Sequence, residues 1–172
     1  MLLPDYSGSA IWQRNRDLSS PGSIDIKQVF FVGSAERDFR NLPAEIRKEA
    51  VAALSDLQNG RTPRGGRYKD LTDNDKLRGI GEVRLNGDDG NTYRIYNVVC
   101  LKEVIYVLDA GAKKSVRGGA IPQQDVKMLE KRRKTALADY AQNQGIYKSE
   151  FAARQSRRVA IQVRLSRTPK GI

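Results

Sequence analysis

The sequence predicts an α+β fold, in which a small antiparallel sheet packs on two N-terminal helices and is followed by a C-terminal helix. The sheet is expected to contain an N-terminal strand and a three-stranded meander. Three β-type runs separated by short polar segments, between residues 76 and 108, predict the meander. Apolar residues at helical spacing before the meander predict the two helices, and Pro122 opens a basic helical segment after it.

Length and charge limit the kind of protein. A chain of 172 residues is long enough for one well-buried domain and short for two. Its formal charge is +11, from 31 Lys and Arg against 20 Asp and Glu. Such an excess favours a phosphate-rich partner, because each cation placed on a phosphate releases condensed counterions. The alternative is a basic protein with no nucleic-acid role.

Several classes of site are disfavoured by what the sequence lacks. A single cysteine, Cys100, excludes an internal disulfide and a cysteine-based zinc cluster. The absence of histidine removes the usual acid–base group at neutral pH and the commonest metal ligand. No metal and no cofactor are therefore expected. The sequence shows no apolar run of about 20 residues and no signal-peptide pattern, so no membrane contact and a cytoplasmic location are expected.

The chain is expected to begin with a flexible segment. Residues 1–22 contain glycine, serine and proline with scattered apolar residues, and Ile11 and Trp12 are placed to dock on the body or on a partner. The first strand follows at 26–32.

Proline and glycine divide the helical part. Ser34 is placed to cap a first helix, and Pro43 separates this short helix from a longer one. Gly60 ends the longer helix, where a left-handed residue is favoured. The segment 61–75, rich in glycine and arginine, is predicted to be a loop.

The meander is predicted to have one apolar face and one cationic, aromatic face. Side chains alternate across a strand, and the turn residues at 86–91 join the first two runs as a hairpin. The third run, 104–108, is apolar on both faces and should be central and covered. The apolar face receives Val83, Leu85, Tyr93 and Ile95. The opposite face, expected to be left open by the helices, receives Glu82, Arg84, Arg94 and Tyr96.

The C-terminal third is predicted to be basic and interrupted. A cationic loop at 109–120 leads into the helix that Pro122 opens, and Gly145 is expected to end this helix. A short helix capped by Ser149 and a late strand at 159–165 are predicted to follow. The expected organisation is an N-terminal extension at 1–22, a folded domain at 23–142 and a C-terminal extension at 143–172.

This order of elements, with its motifs, resembles the RelE/ParE toxin superfamily, and in particular its phage-associated HigB-like branch. The resemblance covers the chain from about Lys27 to Tyr140. The motifs are Glu82-Val83-Arg84, then Tyr93-Arg94 followed by Tyr96, then Lys113-Lys114-Ser115. Many relatives have a histidine and an aromatic residue where this chain has Asp109 and Gly111.

The resemblance implies a RelE-like fold over 23–142 and the toxin of a type II toxin–antitoxin pair. Such toxins commonly cleave messenger RNA in the ribosomal A site without a metal ion. The implied partners are a cognate antitoxin, expected to bind DNA, and the ribosome with its mRNA.

Cleavage by the adjacent 2′-hydroxyl needs a base, positive charge around the phosphorane and an acid for the leaving oxygen. The predicted catalytic residues are Arg84, Arg94, Tyr96, Lys113 and Asp109. The predicted RNA-binding residues are Lys76, Arg78, Lys114, Arg117, Lys131, Arg132 and Arg133. As an alternative, Arg84 and Arg94 pair with Glu82 or Glu103 across the strands, and the lysines and arginines of 131–134 form a solvated helix surface.

Two other functions stay open at this point. One is inhibition of DNA gyrase in the manner of the ParE toxins. The other is a non-catalytic phage protein that binds nucleic acid or a host protein through the same basic face.

Overall fold

The computed structural model describes residues 11–12, 26–72, 74–99, 101–112 and 120–166. Six strands form one sheet: β1 (Ile11–Trp12), β2 (Gln28–Val32), β3 (Tyr68–Asp70), β4 (Gly81–Asn86), β5 (Thr92–Val98) and β6 (Val104–Ala112). Three helices accompany them: α1 (Ala35–Arg40), α2 (Ala44–Gln58) and α3 (Gln123–Ser166). A 3-10 turn at Asp75–Leu77 precedes β4. The predicted α+β class, the meander and the division of the helices at Pro43 are confirmed.

The sheet is mixed, with the strand order β1-β2-β6-β5-β4-β3. The expectation of a wholly antiparallel sheet was wrong, because β2 pairs with β6 in parallel. All five residues of β2 are buried. The strand lies beside the central strand β6, and helices cover it on both faces of the sheet. The long connection through α1, α2 and the meander supplies the crossover that parallel neighbours need. Sequence alternation does not reveal strand direction.

The edges of the sheet contain two strands outside the predicted set. Ile11–Trp12 pairs antiparallel with β2, while the rest of 1–22 lies outside the described residues. Tyr68–Asp70, in the segment predicted to be a loop, pairs antiparallel with β4. Three residues are too few to show the alternation by which a strand is identified.

Both faces of the sheet are covered. On one face, α1 and α2 pack on Val29, Phe31, Val83, Leu85, Tyr93, Ile95, Ile105 and Val107. On the other face, α3 packs through Val126, Leu129, Ala136 and Tyr147 on Phe30, Val32, Tyr106 and Leu108. The predicted faces of β4 and β5 are therefore confirmed, and so is the two-sided burial of β6. The expectation that the second face is open was wrong, because α3 lies across much of it.

Helix α3 is continuous from Gln123 to Ser166. The predicted stop at Gly145, the separate helix after Ser149 and the strand at 159–165 were therefore wrong. Tyr147, two residues past the glycine, is buried against the sheet. Packing beyond Gly145 thus offsets the cost of about 1 kcal/mol that a helical glycine carries relative to alanine. The apolar–polar alternation near the C-terminus was a local pattern, which an established helix overrides.

Hydrogen bonds between tyrosines and carboxylates fix α3 on the sheet. Asp139 Oδ2 accepts from the hydroxyls of Tyr106 and Tyr147, each at 2.5 Å. Tyr140 donates to Glu103 Oε2 at 2.6 Å. The ring of Phe30 packs on Tyr106 and Tyr147, with centroids 5.6 and 5.2 Å away. Burial, and then the bond to Asp139, raise the pKa of Tyr106 far above its usual range. None of the helices in the described part of the chain could cross a membrane.

Gly145→Ala tests the continuity of α3. A Cβ at Gly145 would meet no atom within 4 Å, and the residue has no positive φ. We expect alanine to raise the free energy of unfolding by about 0.5–1 kcal/mol, because it removes conformational freedom from the unfolded chain. Chemical denaturation measures this change.

Gly60→Ala is the matched control, because Gly60 is equally open but has φ +70°. Alanine there should destabilise by about 1 kcal/mol, the strain of a left-handed alanine. A loss of stability in both variants would contradict a helical conformation at Gly145.

The raised pKa of Tyr106 predicts that the protein loses stability at alkaline pH. An unfolded tyrosine ionises near pH 10, whereas Tyr106 keeps its proton in the folded protein. Its contribution is therefore fully present below pH 10. Above about pH 10 it should fall by about 1.4 kcal/mol per pH unit. Tyr106→Phe should have a shallower decline than the wild type by this amount, measured by denaturation from neutral pH to above pH 10. Equal slopes would contradict the raised pKa.

Candidate nucleic-acid interface

A cleft of about 290 Å³ lies where β4 and β5 meet β3, the 3-10 turn and the beginning of α3. It contains apolar, cationic and carboxylate side chains. The described residues that line it are Lys69, Leu71, Asn74, Leu77, Glu82, Arg84, Arg94, Ala120, Ile121 and Gln123. Two of the predicted catalytic residues, Arg84 and Arg94, are thus brought together at one concave site.

Glu82 lies at the centre of the charged part of this cleft. In the sheet register it is opposite Lys69 of β3 on one side and Tyr96 of β5 on the other. Arg84 and Arg94 are opposite each other, and two like charges in that arrangement repel. The Glu82 carboxylate relieves this repulsion because it contacts both guanidinium groups.

The Glu82–Arg94 pair is buried. The exposed fractions of the two side chains are 2% and 6%, and Arg94 Nη1 donates to Glu82 Oε2 at 3.0 Å. Tyr96 lies behind Arg94 and is also buried. Burial, and then the charge of Glu82, raise the pKa of the Tyr96 hydroxyl above its usual range, although Arg94 acts in the opposite direction. Burial lowers the pKa of Arg94, but Glu82 and Tyr96 raise it by more, so Arg94 stays charged.

Arg84 differs from Arg94 although it makes an ion pair with the same carboxylate. Its side chain is 49% exposed, and its Nη2 atom lies 3.3 Å from Glu82 Oε1. This longer, half-solvated contact is weak compared with a buried pair. Arg84 therefore has a guanidinium that an incoming anion can reach, whereas Arg94 is enclosed by the protein.

Asp109 and Arg132 form a second, partly buried ion pair, which joins β6 to α3. Arg132 Nη1 donates to Asp109 Oδ1 at 3.0 Å and to the Leu108 carbonyl oxygen at 2.6 Å. Its Nη2 donates to Ser34 Oγ at 2.7 Å. Ser34 in turn donates to Asp38 and does not cap the α1 backbone with its side chain. The Arg132 guanidinium thus joins α3 to β6 and to the turn before α1. Its Nη1 and Nη2 atoms already bond to protein groups.

Besides Arg132, four predicted RNA-binding residues lie at the 3-10 turn and on α3. The Arg133 guanidinium donates to the carbonyl oxygen of Arg78, which joins the turn to the helix. Lys76 and Arg133 both lie near Glu130, whose pKa is lowered first by Lys134 and then by these cations. Lys131 is exposed on α3. These residues form the surface that we name the cationic shelf: Lys76, Arg78, Lys131, Arg133 and Lys134.

The remaining predicted residues, Lys113, Lys114 and Arg117, lie outside the described residues. Sequence reasoning had treated Glu82 only as a pairing partner, and it had not selected Lys69, Asn74 or Gln123. The signal for Glu82 was its place two residues before Arg84 on the same face of β4. Nothing in the sequence marked Lys69, because its position depends on the short strand β3.

Within the part of the chain that the structure describes, no three His, Cys, Asp or Glu side chains form a group that could hold a metal ion.

The fold and the cleft define a basic α+β protein with a cationic site on the sheet. A family model described as phage derived protein Gp49-like (DUF891) matches residues 37–134, which is 98 of the 172 residues. The chain belongs to this Gp49-like, phage-derived family. The match includes α2, the meander, the cleft and the first turns of α3. Comparisons with curated proteins and with solved structures gave no significant match.

The different burial of Arg84 and Arg94 predicts different effects on stability. Arg94→Met leaves the buried Glu82 carboxylate without its main partner and should lower the free energy of unfolding by about 3–5 kcal/mol. Arg84→Ala removes a half-solvated contact and should change it by less than about 1 kcal/mol. Urea denaturation at neutral pH measures both changes.

The double variant Glu82→Gln/Arg94→Met is the control for this interpretation. The double variant should lose less free energy of unfolding than Glu82→Gln and Arg94→Met lose together as single variants. In the double variant neither charge of the buried pair is left without its partner. Equal losses for Arg84→Ala and Arg94→Met would contradict the buried pair.

Proposed function

We propose that this protein is the toxin of a type II toxin–antitoxin pair, and that it inhibits translation by cleaving mRNA on the ribosome. The observation that carries the proposal is the cleft in which one buried carboxylate, Glu82, is bracketed by Arg84 and Arg94. The Gp49-like family is associated with toxin–antitoxin systems, which supports the class of protein. The α+β fold is consistent with a RelE-like fold.

The cleft contains groups suited to RNA cleavage by the adjacent 2′-hydroxyl. In that reaction the 2′-oxygen forms a bond to phosphorus, the bond to the 5′-oxygen breaks, and a cyclic phosphate and a 5′-hydroxyl result. Glu82 is the only carboxylate among the described residues lining the cleft, and we assign it as the base that takes the 2′-hydroxyl proton. Glu82 thus offers a base in place of the histidine that this chain lacks.

The two arginines have different roles in this proposal. Arg84, at the cleft surface, binds the phosphate, because a guanidinium can grip two phosphate oxygens at once. Arg94 holds Glu82 in place from behind and adds positive charge near the phosphorane, and Tyr96 supports Arg94. Lys113, which follows β6 directly in the sequence, stays a predicted catalytic residue, and we assign to it the donation of a proton to the 5′-oxygen. Lys114 stays a predicted RNA-binding residue.

The proposed macromolecular partners fit the charge of the surface around the cleft. The cationic shelf lies beside the cleft and offers lysine and arginine to ribosomal RNA phosphates. Asp109 and Arg132 hold α3 on β6 through their ion pair. A cognate antitoxin would silence the toxin if it covered the cleft and the shelf, since it would neutralise the charge that RNA otherwise meets.

Arg84→Ala tests the proposal, because this change should leave the fold intact. Induction of the wild-type chain should arrest growth and give discrete breaks in transcripts, mapped by primer extension. Arg84→Ala and Glu82→Gln should each reduce cleavage by about 100-fold or more, the scale expected for removal of a charge-stabilising group or a base.

Arg64→Ala is the matched control, because Arg64 is exposed in the loop before β3 and does not line the cleft. It should keep full toxicity. Intact transcripts in arrested cells would contradict cleavage, and a DNA-damage response with continuing translation would indicate gyrase as the target. Salt-sensitive nucleic-acid binding without growth arrest would indicate a non-catalytic binding protein.

A further inference from the structure

The cleft has an uncharged half that the proposed cleavage reaction does not use. Its apolar walls are Leu71 and Leu77, which are 6% and 2% exposed, and the half-buried Ile121. Two side-chain amides, those of Asn74 and Gln123, also line it. The charged half of the cleft suits a phosphate, whereas apolar walls with a few amides suit the flat, partly polar surface of a nucleobase.

The size of the cleft favours one unpaired nucleotide. Its volume of about 290 Å³ is close to the lower end of the range for small-molecule pockets, about 300 Å³. Bases that are paired in an A-form helix are hard to read, because side chains cannot enter the deep major groove. A base of a single strand can leave its stack and enter a concave site. The cleft therefore suits single-stranded RNA, with one base inside.

Asn74 is held in one orientation by the 3-10 turn that it precedes. Its Oδ1 atom accepts a hydrogen bond from the Lys76 N–H at 3.0 Å, and its backbone oxygen accepts from the Leu77 N–H at 2.9 Å. Because a backbone N–H can only donate, the atom facing it must be the amide oxygen. The Nδ2 atom makes no hydrogen bond to another described residue. Its two donors are therefore the part of this amide that a ligand in the cleft can use.

Gln123 lines the same cleft without such a constraint. It is the exposed first residue of α3, and its side chain makes no hydrogen bond within the described part of the chain. An amide that can rotate offers either its oxygen or its nitrogen, so it bonds to bases of both kinds. The fixed Nδ2 atom of Asn74 can only donate. Asn74 is therefore the amide that can distinguish one base from another.

We infer that the uncharged half of the cleft holds one unpaired RNA base, and that Asn74 selects a keto base, guanine or uracil. With the phosphate at Arg84 on the cleft surface, the edge of the base opposite its sugar points inward. That edge presents a carbonyl oxygen in guanine and uracil and an amino group in adenine and cytosine. Nδ2 donates to the carbonyl oxygen, whereas two donors that face each other are both left unpaired. The choice of RNA rests on the proposed function, but base selection does not require cleavage.

Binding of single-base probes tests the inference. The probes are fluorescein-labelled 2′-fluoro RNA pentamers, with one central base and two abasic residues on each side, and they lack the 2′-hydroxyl that cleavage needs. The wild type should bind the guanine and uracil probes about threefold or more tighter than the adenine and cytosine probes, the scale of one hydrogen bond. Equal affinities for the four probes, or no gain over a wholly abasic pentamer, would overturn the inference.

Variants of Asn74 isolate its donors. Asn74→Asp keeps an oxygen for the Lys76 N–H but replaces the donors by an acceptor, so it should reverse the preference toward adenine and cytosine. Asn74→Ser keeps a capping oxygen without the amide and should bind the four probes about equally. Asn41→Asp, the matched control, makes the same chemical change at an exposed position outside the cleft and should keep the wild-type preference. A wild-type preference in Asn74→Asp would overturn the inference.

Cleavage mapping separates this inference from the proposed function. Transcript breaks made by the wild type should show guanine or uracil at one fixed position beside the break, and Asn74→Asp should change this distribution. Breaks with an unchanged distribution in Asn74→Asp would overturn base selection and leave the proposed function standing. Keto-selective binding of the probes by a chain that makes no breaks would overturn cleavage and leave the base site standing.

Discussion

The structure depends on the packing of α3 across the second face of the sheet. Asp139 accepts two short hydrogen bonds, one from Tyr106 on β6 and one from Tyr147, about two turns farther along the helix. The bond from Tyr106 and the bond from Tyr140 to Glu103 tie the helix to the sheet at two points, whereas the bond from Tyr147 lies within α3 and holds the Asp139 carboxylate in place. The start of α3 then forms a wall of the cleft, and its middle buries the sheet.

The cover provided by α3 changes the chemistry of the residues beneath it. Arg94 and Tyr96 would be solvated side chains on an open sheet, and there an arginine–glutamate pair contributes little. Enclosed on this face, the same pair is costly to separate and holds its geometry. The burial that takes Arg94 away from direct contact with an anion thereby makes it a fixed support for Glu82.

The sequence was informative where a pattern had enough length. Alternation over 82–85 and 93–96 was sufficient to place Arg84 and Arg94 on one face, and the two-sided apolar run at 104–108 placed β6 in the middle of the sheet. The sequence did not reveal the parallel pairing of β2, because alternation is the same for either direction. Gly145 was misleading for a related reason: its helical state depends on tertiary contacts of Tyr147 and Arg154, which no local pattern contains.

Arg84 and Arg94 show how position on the sheet decides the role of identical residues. They are opposite each other on neighbouring strands and contact the same carboxylate. Their local sequences do not distinguish which of them would bind a phosphate. Their exposed fractions of 49% and 6% separate them. A phosphate that takes Arg84 from Glu82 gives up only a half-solvated contact, whereas taking Arg94 would leave a buried carboxylate unpaired. In the proposed cleavage reaction, the exchange at Arg84 would also release one oxygen of Glu82 from its ion pair, and this is the oxygen that would then act as the base.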